Sequence, residues 1–134
     1  MGFLKTKYEN HLYVIFRIGI GALFFMYCVQ KLFGLWGMPG VAAGFGTFVW
    51  FAGAAEFLIG LSLIFGVLTR LASFFGVIEM IVAYYVGHVS VGCWNPAVNQ
   101  GAPALMFMLA FLVTLAYGAK KASLEQKVFG KEFF

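Results

Sequence analysis

The chain has 134 residues, of which 63% are hydrophobic and only 10% are charged. Since about a quarter of the residues in a typical water-soluble domain are charged, this composition excludes an ordinary soluble protein and predicts an integral membrane protein. The net charge of +4 does not indicate a nucleic-acid partner, because the basic residues lie near predicted helix ends and do not cluster on one face.

Four apolar segments are candidate membrane spans, since a spanning helix needs about 20 mostly apolar residues. In chain order they cover residues 12–33, 47–68, 71–92 and 102–118. The predicted fold is therefore all-α. It is an antiparallel bundle of four transmembrane helices over residues 1–118, followed by a basic cytoplasmic tail over residues 119–134.

Three connections join these spans. The first, LWGMPGVAAGFG, is rich in Gly and contains Pro39, which predicts an irregular or re-entrant segment. Only Thr69 and Arg70 separate the second and third spans, so a tight hairpin is expected. The third connection, CWNPAVNQGAP, predicts an ordered polar loop. In the tail, Ser123 and Gln126 fit a capping box for a short helix at the surface.

The distribution of basic residues predicts the orientation. With four spans, both termini and the Arg70 turn lie on one side, which also holds Lys5, Lys7, Lys120, Lys121, Lys127 and Lys131. The two opposite connections carry no charge, so the positive-inside rule places both termini in the cytoplasm and the protein in the cell membrane. The exception to the charge bias is Lys31, at the outer end of the first span. An outer aromatic belt is predicted from Trp36, Trp50 and Trp94.

Four ionisable residues lie within the predicted spans: Arg17, Glu56, Glu79 and His88. Such groups are costly in a bilayer and usually pair inside the bundle. At 1.5 Å per residue, the depths of the first three overlap near the midplane, so Arg17 is expected to pair with Glu56, Glu79 or both. One arginine cannot neutralise two buried carboxylates, so one glutamate is expected to hold a proton at neutral pH.

Helical spacing predicts which faces point inward. The predicted interior residues are Arg17, Gly21, Phe24, Cys28 and Lys31 on the first helix, Gly53, Glu56 and Gly60 on the second, and Gly76, Glu79 and Ala83 on the third. His88 follows Glu79 by nine positions, about half a turn out of phase in a straight helix. The two can face one cavity only if the helix bends, and Gly87 is the candidate position.

Simpler structural interpretations stand beside the functional ones. Arg17 and its glutamate can serve helix packing alone. Lys31 can extend to the outer interface. His88 can bond to the polar loop, and Cys28 can be a small packing residue.

Several cofactor sites are not predicted. A bis-histidine haem is excluded because His11 and His88 lie near opposite surfaces. The sequence has no HExxH motif, no Cys/His metal cluster and no Walker loop, and Cys28 and Cys93 have no CxxC spacing. No intrinsic cofactor and no metal are therefore expected.

The assembled motifs resemble those of the DoxX family of small four-helix membrane proteins. They are Arg17 and Gly21, QKLFG at residues 30–34, AEFLIGLSLIFGVLTRLA at residues 55–72, then Ala83, His88 and Gly92, and finally GAKKASLE at residues 118–125. The chain departs from the family pattern at three places. Cys28 and Val29 replace a His-Gly pair, Ala102 and Pro103 replace an acidic start of the fourth helix, and Glu125 replaces an Asp.

The resemblance implies a membrane protein associated with redox systems, because one branch of the family is similar to the membrane subunit of thiosulfate:quinone oxidoreductases. We hypothesise a subunit of a quinone-linked oxidoreductase complex with a ligand-binding or proton-relay cavity. Its candidate residues are Arg17, Gln30, Lys31, Glu56, Glu79 and His88. In this hypothesis Lys31, Gln30 and His88 hydrogen-bond a quinone carbonyl, while Glu56 exchanges a proton. Catalysis by this chain alone is not expected.

Two alternatives belong to other classes. The chain is a non-catalytic accessory subunit whose charges only stabilise helix packing, or it is a small transporter, although no inverted repeat is evident. The expected partners are the lipid bilayer and other membrane or membrane-associated subunits, or further copies of the same chain.

Overall fold

The computed structural model describes residues 8–36, 42–120 and 122–131. The regular secondary structure among these residues is entirely helical, which confirms the all-helical class for the described part of the chain. The helices are α1 (Glu9–Phe33), α2 (Phe48–Phe65), α3 (Thr69–Tyr84), α4 (Ala102–Tyr117) and α5 (Leu124–Phe129). A single π-helical turn over Tyr85–Val89 continues α3.

Three of these helices are long and apolar enough to cross a membrane. They are α1, α2 and the continuous helix Thr69–Val89. The apolar α4 has 16 residues, which makes it about 24 Å long against a hydrocarbon core of about 30 Å. The chain is thus a membrane protein with three to four apolar helices of spanning character. The fourth span and the cytoplasmic termini stay predictions.

Glycines end the first two helices. Gly34 and Gly66 adopt left-handed φ angles of 67° and 68°, and the N–H of each bonds to the carbonyl four residues earlier. Thr47 caps the start of α2, where its Oγ1 accepts from the Trp50 N–H at 3.2 Å. Because α2 ends at Phe65 and α3 begins at Thr69, residues 66–68 form the tight connection in place of the predicted Thr69 and Arg70. The predicted irregular segment around Pro39 falls partly outside the described residues.

Helices α1 and α2 approach closely at small residues. A Cβ atom built on Gly21 would lie 2.9 Å from the Gly60 carbonyl oxygen, and one on Gly53 would lie 3.0 Å from Leu32. Since Gly21 precedes Leu32 whereas Gly60 follows Gly53, the two helices run in opposite directions. The interior faces predicted for both helices are confirmed by their buried residues, except that Lys31 is only half-buried.

Helices α3 and α4 form a second close pair. The Phe111 ring fills the space beside Gly76, and the hydroxyls of Ser73 and Thr114 hydrogen-bond at 2.7 Å. Phe24 of α1 joins the two helix pairs, because its ring packs against those of Phe107 and Phe111 at centroid distances of 5.2 and 4.8 Å. The core therefore lies between all four helices.

The segment after α4 folds back onto the bundle. Ser123 is buried, donates to the Gly66 carbonyl at 2.7 Å and accepts from the Gln126 N–H, so the Ser123 half of the predicted capping box is confirmed. The Glu125 carboxylate accepts from the Leu68 N–H at 3.2 Å. We call this end of the molecule, with residues 66–68 and α5, the turn end. The opposite end, with residues 90–101 and the end of α1, is the loop end.

Candidate functional site

An ion pair joins α1 to α2 near the loop end. The Lys31 ammonium donates a hydrogen bond to Oε1 of Glu56. The Glu56 side chain is 2% exposed and that of Lys31 is 29% exposed. Helical side chains lean toward the N-terminus of their helix, so Lys31 near the end of α1 extends back into the bundle. The interpretation that Lys31 extends outward to the interface is therefore wrong.

The predicted pairing of Arg17 with Glu56 or Glu79 is also wrong. Arg17 is fully buried, but it lies at the turn end, where its two terminal nitrogens donate to the carbonyls of Ala119 at 2.6 Å and Ala122 at 3.0 Å. The physical reason is again the lean of helical side chains. Arg17 extends toward the start of α1 and away from the two glutamates.

A polar cavity of about 270 Å³ lies beside the ion pair. It draws on all four long helices and the loop, and its lining residues are Phe24, Tyr27, Lys31, Glu56, Met80, Ala83, His88, Gln100, Pro103, Ala104 and Phe107. Among the described residues, Oε2 of Glu56 is buried and has no hydrogen-bond partner. The cavity thus combines a cation, a carboxylate with spare acceptor capacity and aromatic walls.

The π-helical turn brings His88 to this cavity. Such a turn holds more residues than an α-helical one, so it changes the direction in which later side chains point. Gly87, the candidate position for a bend, lies within this turn. The Nδ1 atom of His88 lies 2.9 Å from the Asn99 carbonyl oxygen. Because a carbonyl oxygen only accepts, Nδ1 carries the proton of this hydrogen bond.

Glu79 lines a different space, which we call the α2–α3 cleft. This cleft has a volume of about 280 Å³ and is lined by Lys31, Phe48, Phe51, Ala52, Ala55, Ile59, Phe75, Ile78, Glu79, Val82 and Ala83. Gly76 packs against α4, so the expected common face of Gly76 and Glu79 splits between two neighbours. Glu79 and His88 do not share one cavity, but Lys31 borders both spaces.

Gln100, and not the predicted Gln30, lines the polar cavity. Gln30 donates to the Trp36 carbonyl at 3.4 Å and lines neither space. Gln100, which was not among the predicted site residues, lines the polar cavity. It has a φ angle of 60° in the turn between Asn99 and Gly101. The signal in the sequence was a polar NQG turn directly before an apolar helix.

The thiols and imidazoles form no metal centre in the described residues. Cys28 is buried, Cys93 is half-buried, and both thiols are free. No group of three or more His, Cys, Asp or Glu side chains is placed to hold a metal ion within residues 8–36, 42–120 and 122–131.

An apolar groove runs between α1 and α4. It has a volume of about 490 Å³ and is lined by Phe16, Ile20, Leu23, Pro103, Met106, Phe107, Leu109, Ala110 and Val113. Two of these residues, Pro103 and Phe107, also line the polar cavity. The groove and the cavity are therefore neighbours that share these two residues.

Comparison with known proteins identifies the family. The DoxX family model matches residues 12–89, which include Lys31, Glu56, Glu79 and His88. An uncharacterized protein of Haemophilus influenzae is 32% identical over 130 residues, which are 93% of this chain and 96% of that protein. No solved structure matches the chain. The charged residues around the polar cavity thus lie within the matched region, and the chain belongs to the DoxX family.

Proposed function

We propose that the protein is a membrane subunit of a quinone-linked redox complex and that its polar cavity binds the quinone ring. The observation that supports this proposal is the shared wall of Pro103 and Phe107 between the polar cavity and the apolar groove. A quinone has the same division into a polar ring and an apolar tail. Its ring would occupy the cavity while its tail lies along the groove between α1 and α4.

The size and lining of the cavity suit a single ring. A volume of about 270 Å³ lies near the lower limit of typical small-molecule pockets, which is about 300 Å³. The rings of Phe24, Tyr27 and Phe107 supply aromatic surfaces. The Lys31 ammonium and the Gln100 amide are donors for the carbonyl oxygens of a quinone.

The chemistry of the ring assigns roles to the charged groups. Reduction of a quinone takes up two electrons and two protons, and the electrons come from a donor subunit of the complex. Lys31 stabilises negative charge on the ring oxygen. Glu56, a carboxylate in its ion pair with Lys31, takes up each of the two protons in turn and passes it to the reduced ring. Glu79, on the other side of Lys31, is the next carboxylate in the relay. Gln30 and Arg17 lie outside the cavity and hold the loop end and the turn end in place.

The position of the cavity in the membrane depends on the orientation of the helices. Four helices cross the membrane as an antiparallel bundle, with both termini in the cytoplasm. The described basic residues at the turn end support this, since Arg70, Lys120, Lys127 and Lys131 all lie there. The polar cavity would then lie near the outer surface.

Quinone binding tests this function. We would reconstitute the full chain in nanodiscs and titrate it with a short-tailed ubiquinone by calorimetry. Lys31→Met and Glu56→Gln should each weaken binding about tenfold, since a hydrogen bond to a charged group contributes about 1.5–3 kcal/mol. His88→Ala should weaken it severalfold. Glu9→Gln and His11→Ala, at the turn end, are the matched controls. Equal affinity of all variants would exclude this site.

A second candidate function is that of an accessory subunit that stabilises a larger membrane complex. The Lys31–Glu56 pair favours it, because this pair directly joins α1 to α2. In that case Glu56→Gln lowers the yield of assembled complex, while the activity of each assembled complex stays normal. Purification from native membranes with mass spectrometry of the co-purifying chains and lipophilic ligands separates the two functions.

A further inference from the structure

We infer that the α2–α3 cleft is a binding site for a lipophilic organic monocation, with the Glu79 carboxylate as its counter-ion. The cleft is a different space from the polar cavity, although Lys31 borders both and Glu79 is also the relay carboxylate of the proposed function. Cation binding in the cleft does not require a bound quinone. It would give the protein a second ligand class, one of bulky aryl or alkyl ammonium and phosphonium ions.

Glu79 lacks the donors that the other two buried glutamates have. Both of its carboxylate oxygens are buried, and neither has a hydrogen-bond partner among the described residues. By contrast, Glu56 accepts from Lys31, and Glu125 accepts from the Leu68 N–H. A buried carboxylate without a donor is costly, so this position favours an occupant that brings positive charge or a donor.

The charges around the cleft sum to minus one. Lys31 reaches it from α1, Glu56 lies behind Lys31 on α2, and Glu79 faces it from α3. The Cys28 thiol is buried on α1 and does not line the cleft, and no residue of α4 lines it. Since the ammonium of Lys31 is already bonded to Glu56, one more positive charge balances the group. A proton or one monovalent cation supplies that charge.

The lining favours an organic cation over a metal ion. Phe48, Phe51 and Phe75 present aromatic surfaces, which attract cations within about 6 Å of a ring centre. A metal ion such as Ca²⁺ requires six to eight oxygen ligands. The two oxygens of Glu79 fall far short of that number, whereas a large cation surrounded by hydrocarbon needs no such shell.

Access to the cleft is from the bilayer. The side chains of Phe51, Phe75 and Ile78 are among the exposed apolar residues of α2 and α3. An occupant that enters between these two helices must therefore first partition into the membrane, which selects lipophilic cations over hydrophilic ones.

Binding should exchange a cation for a proton. In the empty cleft the Glu79 carboxyl is balanced by its own proton. When the cation binds, the carboxyl O–H bond breaks, the proton leaves to bulk water, and the carboxylate forms an ion pair with the cation. One proton is released for each cation bound.

Tetraphenylphosphonium is a suitable probe for this site. We would titrate it into the full chain in nanodiscs, subtract its uptake by empty nanodiscs, and record bound cation and released protons in weakly buffered solution. We expect saturation at one cation and one proton per chain, with tighter binding as the pH rises. Tetraphenylborate, an anion of the same shape, should not bind at the site.

Variants locate the site. Glu79→Gln should weaken saturable binding at least tenfold and abolish proton release, whereas Glu79→Asp should retain both in part. Phe51→Leu should weaken binding severalfold with the carboxylate intact. Glu9→Gln, at the turn end, is the matched control.

If Glu79→Gln binds the probe as tightly as the unmodified chain, or if no saturable binding is seen, the inference is overturned. His88→Ala should leave binding of this probe unchanged, which separates this test from that of the quinone site.

Discussion

Two long basic side chains of α1 extend in the same direction and thereby reach different ends of the molecule. Arg17 lies in the first half of α1 and reaches the turn end, while Lys31 lies in the last turn and reaches back to Glu56. Both follow from the lean of helical side chains toward the helix N-terminus. The polar residues of one helical face therefore serve two sites.

Removal of one member of the Lys31–Glu56 pair should destabilise the fold more than removal of both. In Lys31→Met, Glu56 remains buried without its donor, so the free energy of unfolding should fall by about 1–3 kcal/mol. The double variant Lys31→Met/Glu56→Gln should recover at least half of that loss. Reversible denaturant unfolding in detergent micelles measures both values. Lys127→Met, on the exposed side of α5, should be neutral, and a double variant weaker than either single would contradict this account.

At the level of single helices, the sequence allowed the spans and their buried faces to be predicted. Hydropathy located α1, α2 and α3, and helical spacing placed Gly21, Phe24 and Cys28 on one buried face. These features follow from local composition and a fixed repeat of 3.6 residues per turn. They do not depend on which helix becomes the neighbour.

The features that could not be predicted depend on direction and on non-local contacts. Spacing defines the face of a residue but not where a long side chain ends, so the partners of Arg17 were assigned wrongly. The phase of His88 required the π-helical turn, for which the run YVGHV carries no signal beyond Gly87. Gln100 reaches the cavity only because its loop folds over the end of the bundle.

The contact between α1 and α2 should tolerate no added methyl group at Gly21. A Cβ there would lie 2.9 Å from both the Gly60 carbonyl oxygen and the Leu63 Cβ, so the two helices must separate. We expect Gly21→Ala to lower the free energy of unfolding by about 1–3 kcal/mol.

Gly19→Ala is the matched control, two residues away on the same helix. Its Cβ would have nothing within 4 Å among the described residues. Alanine should therefore be neutral or slightly stabilising at that position. Equal effects of the two substitutions in thermal unfolding would contradict the close helix contact.

At the scale of the whole molecule, the two ends differ in charge, and the described C-terminal segment packs across only one of them, the turn end. The turn end carries Arg70 and the described lysines of the C-terminal segment, Lys120, Lys127 and Lys131. This segment packs across the turn end through its contacts with Arg17 and through Ser123. The loop end presents the exposed Trp36 and Trp94, and its connections carry no charge among the described residues. The molecule is thus polarised along the axis of its helices.

The two cysteines provide an internal test of the orientation. Cys93 is half-buried in the loop, whereas Cys28 is fully buried. If the loop end faces outward, a membrane-impermeant maleimide should label intact cells at Cys93 and leave Cys28 unmodified. Cys93→Ser should abolish the labelling, and Cys28→Ser should leave it unchanged. Labelling that requires permeabilised cells would show the opposite orientation.

The contacts of Arg17 also impose an order on biosynthesis. Its hydrogen-bond acceptor in Ala119 lies 102 positions further along the chain. At translation rates of about 5–20 residues per second, Arg17 is synthesised about 5–20 s before that acceptor exists. During this interval the N–H groups that bond the Ala119 and Ala122 carbonyls in the folded chain have water or lipid headgroups as acceptors. The Arg17 site at the turn end is therefore completed only after residues 119–122 have been synthesised.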